Sequence, residues 1–217
     1  MEQVIQDIAL MLVPMLFAVS FHEAAHGYVA DRLGDPTARL AGRLTLNPIK
    51  HLDLLGTAVF IVTRMIGWAK PVPVNPYNFR DPKRDMMWVS VAGPGSNLIL
   101  GIISALLLRL LNWYDPSLPL QTEFAKLSSG SSFFLVPLFL MIQISVVMNI
   151  ALAVFNCLPI PPLDGSKILM GLLPLEKAQT FAKIEPYGFI ILLGFIFLGG
   201  VDFLIRPIMA LVIRLLL

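Results

Sequence analysis

Long uncharged runs set the organisation of this chain. No residue from Ile8 to Phe21 is charged, and the apolar character continues to Ala30. As a helix, those roughly 23 residues would measure about 35 Å, enough to cross a bilayer. Pro14 predicts a kink in it. Met86–Leu111 is a second spanning run, interrupted near its start by Ala92-Gly93-Pro94-Gly95. Phe133–Leu158 is a third, and it runs into Pro159-Ile160-Pro161-Pro162-Leu163-Asp164-Gly165. The stretch at 54–68 is too short to span and reads as re-entrant or interfacial. Tyr187–Leu217 is apolar but broken by Gly199-Gly200, Asp202, Arg206 and Pro207, so it predicts one span plus an interfacial helix, or two short spans.

The polar stretches between these runs carry breakers. Gly34-Asp35-Pro36 and Asn47-Pro48 are turns. Thr37–Leu46 alternates in part and predicts a strand or hairpin. Lys70–Pro76 must be extended, because three prolines in seven residues exclude a helix. Asn112–Ser132 is a polar connection. The expectation is an all-α multi-pass membrane protein with one membrane-embedded domain over 1–217. Its core spans are about 8–30, 86–111 and 133–158, with a re-entrant or interfacial segment at 54–68 and a C-terminal helix or helices at 187–217.

Composition supports that class. Hydrophobic residues make up 57% of the 217 and charged residues 14%, too few charges to cover a large water-exposed surface. A net charge of +2, spread over short loops, argues against nucleic acid as a partner. The single cysteine, Cys157, excludes an intramolecular disulfide and a cysteine metal cluster. The N-terminus has no basic region or small-residue cleavage site and reads as a retained first helix. Loops 31–53 and 69–85 carry four basic residues each, segment 159–186 three, and loop 112–132 only Lys126. By the positive-inside rule the first three face the cytoplasm, in a bacterial-type plasma membrane, and 54–68 does not cross. The end of the first span, the start of the second and the end of the third then share one membrane face.

Chemistry gathers at that face. His22-Glu23-Ala24-Ala25-His26 places two imidazoles one helical turn apart, able to share one zinc ion, with Glu23 in reach of a water on it. Ionisable groups are expensive in a membrane helix and call for a role. A third ligand must come from elsewhere. Asp164, in the proline-rich break after the third span, is either that ligand or the cap of a following helix. His51 with Asp53 reads as an interfacial structural pair. Arg64 and Arg109 snorkel to headgroups, and Trp68, Trp88 and Trp113 mark an aromatic belt.

His22-Glu23-Ala24-Ala25-His26, then Ala92-Gly93-Pro94-Gly95-Ser96-Asn97, then Asn156-Cys157-Leu158-Pro159-Ile160-Pro161-Pro162-Leu163-Asp164-Gly165 together resemble the site-2 protease family of intramembrane zinc metalloproteases. The match runs in order through about 8–170. The resemblance implies a three-helix catalytic core with one Zn2+ per chain on His22, His26 and Asp164. It implies Glu23 as general base and Asn156 lining the active site, where it suits a donor to the substrate carbonyl or its oxyanion. Asn97 is similarly placed and is carried as a further catalytic candidate. Asn149, seven residues before Asn156, reads as helix packing. The chain looks like a minimal member without a PDZ or CBS domain or a span before the histidine helix. The implied partners are a transmembrane protein or peptide substrate and the lipid bilayer. The rival readings are a non-catalytic zinc-containing scaffold that grips transmembrane segments, and a metal transporter. Retained Glu23 argues against the first, and clustering of ionisable groups at one face against the second. Unwound substrate could add as a strand to 37–46 or 70–76.

Overall fold

A computed structural model describes residues 2–63, 68–115 and 132–217. Its helices are α1 (Glu2–Arg32), α2 (Thr37–Leu40), α3 (Leu54–Thr63), α4 (Pro82–Tyr114), α5 (Ser132–Asn156), α6 (Asp164–Leu172), α7 (Leu175–Ala182), α8 (Gly188–Phe197) and α9 (Arg206–Leu216). The described residues contain no strand, only one isolated antiparallel bridge between Leu52 and Ala69. Among the described residues, four helical runs are long and apolar enough to cross a membrane: Ile8–Arg32, Pro82–Tyr114, Leu135–Asn156 and Leu175–Phe197. This is an all-α multi-pass membrane fold.

Helices α1, α4 and α5 form the core. Leu10, Leu108, Val136, Phe139 and Leu140 pack together between them, with Phe139 and Leu108 at 0% and 1% exposure. Close approach of α4 to α5 depends on Gly101, where a Cβ would stand 2.8 Å from Ile150 Cδ1. Ile99, Ile103, Leu106 and Leu110 of α4 fall on one outward stripe and stay exposed, as a lipid-facing surface requires.

Three expectations need correction. The second span is not interrupted at Ala92–Gly95, because α4 runs continuously through Pro94. Proline costs that turn one hydrogen bond, which a packed membrane helix tolerates, and Ser96 Oγ donates to Gly93 O nearby at 2.7 Å. Thr37–Leu46 is not a strand. Thr37–Leu40 is one helical turn, stopped by Gly42 at φ +63. Buried Asp35 organises that turn by accepting from the Thr37 amide at 3.1 Å and from its hydroxyl. The last candidate span begins at Leu175, ahead of Tyr187, because α7, a 3-10 turn and α8 run on as one. Gly199, at φ +81, ends it, and α9 follows.

Of segment 54–68, residues 54–63 form α3, and 64–67 lie outside the described residues. The described part of α3 has 10 residues, about 15 Å. After α5 the chain turns back sharply, and Gly165 sits against the Cys157 and Leu158 carbonyl oxygens, each 2.3 Å from where a Cβ would be. Lys83 Nζ donates to the Leu173 carbonyl, tying the end of α6 to α4. Asp164 thus arrives at the start of α6, beside α1 and α4.

Candidate active site

His22 and His26 are one turn apart on α1, and their Nε2 atoms lie 3.0 Å from each other. Asp164 Oδ2 is 3.1 Å from His22 Nε2 and 3.3 Å from His26 Nε2. Only a residue without a side chain fits opposite them. A Cβ on Gly93 would come within 2.5 Å of the His26 ring and 2.6 Å of His22 Cε1. Gly93 of the Ala92–Asn97 motif therefore lets α4 close over the histidines.

Hydrogen bonding fixes both tautomers. His26 Nδ1 is 2.7 Å from the Val89 carbonyl oxygen, which can only accept, so Nδ1 carries the proton. His22 Nδ1 is 2.6 Å from Asn97 Oδ1. The amide end of Asn97 is identified by its 3.0 Å bond to the Ala18 carbonyl, which leaves Oδ1 as the acceptor from His22. Both Nε2 lone pairs in the neutral rings then point at a carboxylate oxygen, and Asp164 Oδ2 is buried without a hydrogen-bond donor. Three acceptors this close repel unless a cation lies among them. Zinc bonds of about 2.0–2.1 Å in a tetrahedron separate ligand atoms by about 3.3 Å. The observed spacings fit that, and His22, His26 and Asp164 form a group that could hold one metal ion.

Behind His22 the polar chain continues. Asn97 Nδ2 also donates to Asn149 Oδ1 at 2.9 Å, and Asn149 Nδ2 to the Ser145 carbonyl at 2.9 Å. Ser145 Oγ meets Ser104 Oγ at 2.9 Å. Asn97 and Asn149 are 0% and 1% exposed. The structure therefore places Asn97 against a histidine rather than in the cavity. Asn149 does more than pack helices, since it holds the amide that holds His22. Its helical spacing from Asn156 marked it as inward-facing, but the partner on α4 was not legible from spacing.

In front of the histidines lies a cavity of about 450 Å3, walled by Met15, Leu16 and Val19 of α1 and Met148, Leu152 and Phe155 of α5. His22, Glu23, His51, Thr57 and Asn156 supply its polar lining. Asn156 Nδ2 donates to Leu152 O at 3.0 Å, which leaves its carbonyl oxygen and second N–H. A roof of 51–57 and 68–72 covers the cavity. Pro71 and Pro73 have no N–H, and the Val72 amide between them donates to Glu23 Oε2 at 2.7 Å. Arg43 holds the same strap through the Lys70 and Pro71 carbonyls at 2.7 and 3.3 Å.

Asp35 anchors the far end of the strap, accepting from Asn75 N and Asn78 Nδ2, both at 2.7 Å. Burial alone would raise its pKa. The hydrogen bonds from Thr37, Asn78 and Asn75 outweigh that and hold the carboxyl below the usual aspartate value. His51 and Asp53 do not form the expected pair. His51 Nε2 donates to Thr45 O at 2.7 Å, while Asp53 Oδ1 accepts from Gly56 N at 2.8 Å and caps α3.

The comparisons with known proteins agree with this geometry. The profile of peptidase family M50 matches residues 10–199. The chain is 41% identical over 183 residues to "Putative zinc metalloprotease YwhC" of Bacillus subtilis, covering 84% of this chain and 78% of that protein. It is 29% identical over 186 residues to "Putative zinc metalloprotease Rip2" of Mycolicibacterium smegmatis, covering 84% of this chain and 64% of the relative. Rip2 of Mycobacterium tuberculosis is 30% identical over 183 residues, with 82% and 62% covered. The chain thus spans somewhat under two thirds of the Rip2 proteins' length. No solved structure matches it.

Proposed function

The chain belongs to peptidase family M50 and is a membrane zinc metalloprotease, and from that premise we propose that it hydrolyses a peptide bond in or next to a transmembrane segment of other membrane proteins, as a step in regulated intramembrane proteolysis. One observation carries the reading. Glu23 and His22 open onto a largely apolar cavity between two spanning helices, about 15 Å before the end of α1. A water-soluble substrate has no need of such a surround.

His22, His26 and Asp164 would hold the zinc, which would supply Lewis acidity toward a carbonyl and a water. Glu23 is the general base: it accepts that water's proton on its carboxylate and returns it to the departing amine. The Val72 amide pins one carboxylate oxygen and leaves the other for this transfer. Asn156 donates to the carbonyl oxygen as charge develops there. Asn97 acts through His22, holding the proton on Nδ1 so that the Nε2 lone pair would be free for the metal. The walls of α1 and α5 exclude bulk water. A helical substrate must unwind locally, because its carbonyls are otherwise occupied within the helix.

The basic loops support an active site toward the cytoplasmic side of a plasma membrane. Glu23→Gln tests the reading. Cells carrying it should accumulate uncleaved membrane-protein fragments, and the purified variant should keep bound zinc near one per chain while losing cleavage. Survival of cleavage for every membrane substrate tried would sink the proposal.

A further inference from the structure

His51 is not part of the metal set, yet it is only 1% exposed and lines the same cavity as His22 and Glu23. Its Nε2 faces the Thr45 carbonyl at 2.7 Å, so Nε2 holds the proton and Nδ1 the lone pair. That Nδ1 is buried without a hydrogen-bond partner among the described residues. The residue is held in place on both backbone sides. Its N–H reaches Pro48 O at 2.9 Å, and its carbonyl takes the Lys70 N–H at 2.9 Å. Buried acceptors in native proteins are nearly always paired, so a fixed imidazole with an unused one points to a ligand that supplies the donor.

Other polar groups of the lining have bonds within the protein. Thr57 Oγ1 donates to Asp53 O at 2.6 Å, and Asn156 Nδ2 to Leu152 O. An unwound peptide entering a mostly apolar cavity brings N–H groups that need acceptors. We propose that His51 Nδ1 accepts a hydrogen bond from a backbone N–H of the unwound substrate, making His51 a substrate-binding residue that recognises peptide as such. The proposal rests on the intramembrane protease reading. The strap gives the contact its value. Lys70 hangs on the His51 carbonyl and Val72 on Glu23, so one short extended segment sets the distance between the bound N–H and the base.

The test uses a tri-leucine hydroxamate titrated calorimetrically into zinc-loaded protein in detergent micelles, alongside analogues in which each amide in turn is replaced by an ester. His51→Gln keeps a donor at the Nε2 position and has no acceptor at the Nδ1 position. It should bind the all-amide probe about tenfold more weakly, with zinc per chain unchanged. Wild type should lose a similar factor at one ester position, and His51→Gln should lose nothing further there. Equal binding by both proteins, or equal ester penalties at every position, would overturn the role of His51 while leaving the protease reading intact. A wild type that binds no hydroxamate at all would bring down both. Should His51→Gln lose zinc, His51→Asn decides, since its oxygen stands at the Nδ1 position. Binding like wild type supports the proposal, and a tenfold loss overturns it.

Discussion

Around His22 and His26 three spanning helices and the start of α6 converge, and the polar side chains that meet there are buried or half-buried and joined in series from Asp164 to Ser104. Across the cavity, the described roof residues, 51–63 and 68–72, are tied down by bonds such as Lys70 N–H to His51 O and turn Leu54, Leu55 and Val62 outward, at 91%, 65% and 82% exposure. The two sides face the same space but suit different tasks. Metal ligands must hold position to within tenths of an ångström, which dense buried contacts provide. A cover over a substrate site belongs to the less stable part of a protein, with few buried contacts and local opening.

The largest effect should come from the dense side. Asp164→Ala removes the carboxylate that both histidines face, so bound zinc measured by metal analysis should fall well below one per chain, and cleavage should vanish with it. Gly93→Ala comes next. Its methyl would stand 2.5 Å from the His26 ring, so α4 must back away. Overpacking of this kind costs about 1–3 kcal/mol, read as a lower thermal midpoint in detergent together with weaker zinc retention. Asn149→Ala leaves the ligands untouched and removes the residue behind Asn97. Competition with a chelator should show zinc affinity reduced about 10- to 100-fold, the usual range for outer-shell partners. Unchanged affinity would place Asn149 back among packing residues.

Effects on the roof side should be smaller and local. Asp35→Ala leaves the Asn75 amide and Asn78 side chain without their acceptor, and hydrogen exchange at Asn75 should speed up while zinc stays bound. The same anchor predicts a pH dependence. The folded pKa of Asp35 lies below its unfolded value of about 3.9. Its contribution is therefore complete above that value and lost as pH falls through the folded pKa. Strap protection, corrected for intrinsic exchange, should be flat from neutral pH to about 5 and decline only in stronger acid. Leu54→Ser, on the outward face of α3, should change the thermal midpoint least, by less than about 0.5 kcal/mol. A large loss there would mean that the roof is packed as tightly as the metal side.

The parts legible from the chain were those that follow from local periodicity and cost. The pair His22 and His26 is legible because four residues make one turn, and the three core spans because their runs match bilayer thickness. Asp164 was reachable only by combining loop charges with family resemblance, and the structure brings it to the histidines. Continuity of α4 through Pro94 was not legible, since a proline in a polar-looking motif reads as a break until neighbouring helices are known to support it. The turn at Thr37–Leu40 depends on Asp35, whose other partners lie about 40 residues away. His51 and Asp53 looked like a pair because they are two residues apart. Their real partners, Thr45 O and Gly56 N, are backbone groups that side-chain chemistry cannot announce.

Gly93 also bears on how such an enzyme is made. The two histidines leave the ribosome on α1, while the glycine that lets α4 cover them and the aspartate that completes the set follow later in synthesis. A nascent chain therefore carries two of the three side chains of the group until α6 has emerged. Metal binding by the full set of three side chains has to wait for the last of these elements to dock.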